Sequence, residues 1–147
     1  MSAGALAAGC GREAPFHRRA MVVLPDHLHT IWTLPDGDSD YSMRWNQVKG
    51  LFSRNYTNPV SKSLPVSRMK RRERDVWQRR FWEHTLMDQE DFNRHCDYIH
   101  YNPVRHGLAK SPAEWEKSSF GKYVEKGLYK QDWGRHADKA IVEMDLE

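Results

Sequence analysis

Cysteine is scarce in this chain: Cys10 and Cys96 are the only two among 147 residues. They sit in no CxxC-type spacing, so neither a disulfide framework nor a cysteine zinc site is on offer. A reduced, cytosolic compartment is the default for such a protein. Long apolar runs are missing as well. No stretch approaches the roughly 20 residues of a membrane span, and no membrane partner is expected. The Ala/Gly-rich start, Met1 to Gly11, lacks the basic region and apolar segment of a secretory signal. No internal repeat is present, and the length fits one domain with a modest core.

Clustered negative charge is absent too. The formal net charge is only +3, but Lys and Arg gather along the chain whereas Asp and Glu disperse. Local basic density of that kind favours a polyanionic partner. Six Trp and six Tyr are many for this length. Aromatics beside arginine suit base stacking, although most such rings in a small protein are core residues.

The pattern along the chain reads as mixed helix and strand. Residues 1–20 give no alternating apolar run and are expected to be a weak helix or poorly ordered arm. Met21 to Leu24 and His27 to Leu34 predict two strands joined at Pro25-Asp26 as a β-hairpin. Ser42 to Tyr56 predicts a helix, with Trp45, Val48, Phe52 and Tyr56 on one face and Lys49 and Arg54 off it. A polar basic loop follows over 59–75, readable either as a solvated linker or as a DNA contact. Val76 to Leu86 alternates well enough for a third strand. Asp88 is placed to cap a helix running to about Asn102, where Pro103 should stop or kink it. Trp115, Phe120, Tyr123, Tyr129 and Trp133 then suit a segment tucked over the body. The expected organisation is an arm over 1–20, a domain over 21–133 and a tail over 134–147.

Two features carry chemistry. In a strand, His27 and His29 point to one face and Leu28 to the other, so both imidazoles could hold a divalent metal if a third ligand arrives from elsewhere. A His-x-His in a strand is structural more often than ligating, and the pair alone decides nothing. On the helix, Tyr98 and Asn102 stand one turn apart and share a face. If that face lies over the hairpin, Tyr98 can sit beside the metal and Asn102 can give it a carbonyl oxygen. A phenol with pKa near ~10 is a poor nucleophile at neutral pH, and a divalent ion polarising a phosphodiester makes its attack workable. Arg105 could hold a phosphate. Tyr101 is the rival nucleophile, and His100 points elsewhere on the helix.

Three separated segments, in order, resemble a known family. They are Val23-Leu24-Pro25-Asp26-His27-Leu28-His29, then Trp77-Gln78-Arg79-Arg80-Phe81-Trp82-Glu83-His84, then Tyr98-Ile99-His100-Tyr101-Asn102-Pro103-Val104-Arg105-His106-Gly107-Leu108. The chain is similar in these to the single-tyrosine HUH transposases, in particular to the REP-associated, insertion-sequence-200-like branch, from about Met21 to Trp133. The resemblance implies an α+β fold, a ferredoxin-like antiparallel sheet with helices packed on it. It implies His27, His29 and Asn102 as ligands of Mg²⁺ or Mn²⁺, and Tyr98 as the nucleophile that becomes 5′-phosphotyrosyl-linked to single-stranded DNA. Substrates would be hairpin-forming repetitive extragenic palindromes, met at the nucleoid in the cytoplasm, and a homodimer is the candidate assembly. Lys49, Arg54, Arg71, Arg72, Arg74, Arg79, Arg80 and Arg105 are the DNA-binding candidates. Relatives carry a longer start, so this chain is expected to lack the first strand of the sheet, with stability and activity reduced accordingly. Two competing readings remain: a non-catalytic relic that still grips DNA hairpins, and a small metal hydrolase using the two histidines alone.

Overall fold

The computed structural model describes residues 16–56, 77, 81–136 and 139–143. The protein is α+β, and its described residues fall into two compact units, treated separately here. No helix among them is long and apolar enough to cross a membrane.

The larger unit is built on the expected hairpin. Strand β1 is His17–Val23 and β2 is Leu28–Thr33. They pair antiparallel, with Val23 opposite Leu28 and Val22 opposite His29, and an irregularity between Arg18 and Ala20. The turn is closed by the Leu24 N–H donating to the His27 carbonyl at 2.8 Å. β1 starts at His17, four residues before the expected start at Met21, so part of the segment read as an arm is strand. No apolar alternation marks that stretch, because His17, Arg18 and Arg19 are exposed and only Ala20 is buried.

The free edge of β1 is the second difference. Residues 117–119 run along it: the Val23 N–H donates to the Lys117 carbonyl, the Ser119 N–H to the Met21 carbonyl, each at 2.8 Å. The Met21 N–H donates to Ser119 Oγ at 2.9 Å. Backbone groups on this edge of β1 are thus met in part by a segment 98 residues away in the chain, in keeping with the demand that buried backbone groups be paired.

A long helix, α2 (Gln89–Arg105), lies on the hairpin; the helix before it in the chain, α1 (Tyr41–Asn55), belongs to the other unit. Ala20, Val22, Leu24 and Ile31 from the hairpin pack with Cys96 and Ile99 from the helix, and Leu86, Phe92, Trp115 and Tyr123 pack around them. Each fully buried aliphatic side chain of this kind contributes about 1.5–3 kcal/mol. Beyond the helix come a 3-10 turn, Pro112–Glu114, and α3, Phe120–Glu125. Their aromatics fasten this segment down. Trp115 Nε1 donates to the Val23 carbonyl at 3.0 Å, and the Tyr123 hydroxyl to the Arg19 carbonyl at 3.0 Å. Phe120, Tyr129 and Trp133 pack ring against ring. A short helix, α4, covers Lys139–Val142.

The smaller unit holds α1, Tyr41–Asn55, within one residue of its expected bounds. Asp40 caps it, its side chain accepting from the Met43 N–H at 2.9 Å. Trp45 and Phe52 do form an aromatic face, covered by Phe81 and Trp77 respectively. Lys49 belongs with them rather than off the face: its ammonium lies 5.7 Å from the Trp77 ring centre and 5.2 Å from that of Phe81. Residues 81–87 contain no strand. The third strand expected over Val76 to Leu86 is absent from the described part of that segment. Alternation there reflects rings and charges facing different local partners, such as Phe81 on Trp45 and Glu83 accepting from the Tyr41 hydroxyl at 2.6 Å. A strand also needs a neighbour to pair with, and local pattern does not supply one.

Candidate active site

Helix α2 carries the site, and its own ends explain its placement. The Asp88 side chain accepts from the Asp91 N–H at 2.8 Å, satisfying one of the unpaired donors of the first turn. Glu90 and Asp91 at the start and Arg105 at the end suit the macrodipole. Pro103 does not stop the helix, contrary to expectation. It lacks only the N–H that would have bonded one turn back, and burial of residues 98–103 holds the backbone helical through it. The Pro103 carbonyl is taken up by the Leu108 N–H at 2.8 Å, after Gly107 turns the chain at φ +68°, a conformation glycine adopts without strain.

On the hairpin, alternation puts His29 on the face shared by Ile31 and Val22, towards α2. The rings of His27 and His29 meet edge to face with centres 5.1 Å apart. His29 meets Tyr98 at 5.5 Å, and His27 meets His106 at 5.1 Å. The Arg105 guanidinium lies 5.5 Å from the Tyr98 ring centre. Tyr98, Asn102 and His106 recur every four residues, so they form one stripe along α2. With its first member on His29 and its last on His27, Asn102 is set between two residues that touch the histidine pair.

Asn102 is completely buried, and neither Oδ1 nor Nδ2 has a hydrogen-bond partner among the described residues. An unpaired buried amide is costly and asks for a ligand or another explanation. His27 Nδ1 lies 2.6 Å from Asp26 Oδ1. A carboxylate there accepts the Nδ1 proton and leaves Nε2 with its lone pair, the usual arrangement behind a metal-bound histidine. The same contact holds the Asp26 carboxyl below the ordinary carboxylate value. Two imidazoles and an unpartnered amide oxygen therefore fit a divalent ion.

The other candidates lie elsewhere. His100 is fully buried on the far side of the helix, 2.8 Å from Ser119 Oγ and ringed by Phe120, Tyr123 and Tyr129. Burial pushes its pKa down to about 4. Tyr101 is buried beside Pro112 and Gly134. Lys49 and Arg54 are in the smaller unit. Arg71, Arg72, Arg74, Arg79 and Arg80 lie outside the described residues. Two groups were missed in the sequence. One is His106, legible in hindsight as one more helical turn beyond Asn102. The other is a set of three possible metal ligands, His84, Asp91 and His95, signalled by the i, i+4 spacing of Asp91 and His95.

A hairpin histidine pair with a helix tyrosine against the His29 ring and a buried amide one turn on sets nitrogen and oxygen donors in the neighbourhood of a phenol. No family model matches the chain. Curated relatives do. It is 42% identical over 122 residues to the REP-associated tyrosine transposase of Escherichia coli K12, a match covering 83% of this chain and 65% of that protein. A counterpart from Haemophilus influenzae Rd, given the same type of name, is 40% identical over 127 residues, covering 86% of this chain and 72% of that one. Among solved structures, a REP-associated tyrosine transposase bound to a REP hairpin matches with a TM-score of 0.66 at 39% identity, over 90% of this chain and 72% of that one. The chain belongs to the REP-associated tyrosine transposases. It spans about two thirds of the length of the relatives it matches.

Proposed function

We propose that this protein cleaves and rejoins single-stranded hairpin DNA of the REP type, in the cytoplasm at the nucleoid, with Tyr98 as nucleophile and His27, His29 and Asn102 holding Mg²⁺ or Mn²⁺. The observation that carries the reading is the Tyr98 ring against His29, on the helix stripe that includes Asn102 and ends with His106 against His27, the Asn102 amide being buried with no partner among the described residues. The solved neighbour bound to a REP hairpin supports the substrate class.

In this reading the Tyr98 oxygen attacks a phosphorus of the bound strand. A Tyr98 O–P bond forms, the bond to the 3′ oxygen breaks, and that oxygen leaves as a 3′-hydroxyl after taking a proton. The 5′-phosphotyrosine conserves a phosphodiester that a later hydroxyl can attack. Arg105, close over the tyrosine ring, is placed to hold a non-bridging phosphate oxygen through its fork of donors. Asp26 holds His27 at Nδ1 and leaves its Nε2 as the nitrogen for a ligand bond. His27, His29 and Asn102 would hold a divalent ion, which would neutralise negative charge on the phosphate under attack. Lys49, Arg54, Arg71, Arg72, Arg74, Arg79 and Arg80 are the proposed phosphate contacts away from the cleavage point.

The test is covalent capture. Incubated with a labelled REP hairpin and Mn²⁺, the full chain should form an adduct stable to denaturing gel electrophoresis. Tyr98→Phe should abolish it and leave hairpin affinity within about threefold. An adduct surviving in Tyr98→Phe but lost in Tyr101→Phe would move the nucleophile. Binding with no adduct from any variant or the parent would favour the hairpin-binding relic.

A further inference from the structure

We propose that His84, Asp91 and His95 form a second cation site, separate from the hairpin site, for a borderline transition metal such as Zn²⁺ or Co²⁺. One candidate ligand atom from each residue lies within 4.8 Å of the others. Asp91 is the hub. Its Oδ2 is 2.8 Å from His84 Nε2, and its Oδ1 is 3.1 Å from His95 Nδ1, a nitrogen that also lies 2.8 Å from the Asp91 backbone carbonyl. Two imidazoles and one carboxylate are a donor set that suits these ions and leaves coordination positions for water.

The set is held in place from both sides. Asp91 and His95 are one turn apart on α2, and the helix start fixes Asp91 twice. Its N–H donates to Asp88 Oδ1 at 2.8 Å, and its Oδ2 accepts from the Met87 N–H at 3.1 Å. His84 comes from the irregular segment before the helix. Its side chain is 38% exposed against 11% for His95, so one ligand is open to solvent while the other is seated. The two rings are stacked, 4.8 Å apart and only 9° from parallel. An ion bound here would take the place of the protons shared between the rings and the carboxylate, which metal binding releases.

The site is also distinct in space. At about 1.5 Å of rise per residue, His95 stands roughly 10 Å along the axis from Asn102, well beyond the ~3.5–4 Å of a two-metal catalytic pair. Its effect is on the scaffold. An ion there ties residues 84–88 to the first turn of α2, and His95 is three residues ahead of Tyr98 on the same helix.

The experiment is a Co²⁺ titration of the metal-stripped full chain, followed by visible absorption and by calorimetry. It compares the parent, His84→Ala, and the double variant His27→Ala/His29→Ala, each checked for its fold by circular dichroism. His84 is in an irregular exposed segment, so its single variant should fold. The parent should take up two ions. His84→Ala should lose one, or bind it at least tenfold more weakly, and should lose the rise in melting temperature that Zn²⁺ gives the parent through that site. The hairpin double variant should keep that ion. A single ion lost in His84→Ala and kept in the hairpin variant supports this site and refutes the hairpin one. Unchanged stoichiometry and affinity in His84→Ala, or no uptake by the parent, would overturn the proposal.

Discussion

Asn102 is completely buried with an amide that finds no hydrogen-bond partner among the described residues, so Asn102→Leu should raise stability while it removes function. Leucine keeps the branched skeleton and takes away both polar atoms. Burying an unpaired amide costs about 1–3 kcal/mol on mutational scales. The slightly larger methyl groups give some of this back through crowding, leaving a net gain of about 1–2 kcal/mol. For a chain of this length each kcal/mol moves the melting temperature by about 2–4 °C, so the variant should melt roughly 2–8 °C higher in the presence of chelator. Mn²⁺ should reverse the order. A ligand at a hundred times its Kd stabilises by about 2.7 kcal/mol, a benefit open to the parent and closed to a variant lacking the amide oxygen. The assay is a pair of thermal melts, with EDTA and with excess Mn²⁺, both in the His84→Ala background so that only the hairpin site responds. Adduct formation is measured alongside. A lower melting temperature in EDTA, together with an unchanged Mn²⁺ response and adduct yield, would show that the amide is structural.

Further expectations concern the helix cap, an ion pair and the basic segment. Asp88→Ala should cost about 0.5–2 kcal/mol through loss of the α2 cap, read as a lower urea midpoint; an unmoved midpoint would mean that the first turn is held by packing alone. Arg44 is buried against Asp38, at 2.5 Å between Nη2 and Oδ2, and it holds the Asp38 carboxyl below the ordinary carboxylate value. Stability from that pair is fully present above about pH 4, the unfolded value, and is lost as pH falls through the lower folded one. Asp38→Asn should therefore be less stable than the parent at pH 7, and thermal melts should show the deficit vanishing in strong acid; a constant deficit would refute the linkage. Replacing Arg71, Arg72 and Arg74 with Ala should weaken binding to all DNA sequences alike and flatten the salt dependence by about one slope unit per lost phosphate contact. An unchanged slope in a filter-binding series would make that segment a solvated linker.

What the sequence determined by itself was local. Asp88 before an amphipathic run set the start of α2, and Pro25-Asp26 between two apolar stretches set the hairpin. Helical period put Tyr98 and Asn102 on one face of α2, and strand alternation set His27, one residue ahead of β2, to the side of His29, which its ring meets. These are properties of neighbouring residues, and period and capping chemistry express them directly. Tertiary structure decided the rest, because the partner in each case is distant in the chain. The polar stretch from His17 became strand because β2 pairs with one edge of β1 and residues 117–119 bond along part of the other. Pro103 stayed helical because burial of the surrounding turn outweighs one missing hydrogen bond. Residues 81–87 made no strand, since nothing among the described residues pairs with them there. His106 entered the site only when α2 was laid on the hairpin, and His84 joined Asp91 and His95 only when the preceding segment folded back over the first turn of the helix. Periodicity fixes which way a side chain points from its own element; what it meets is set by long-range packing.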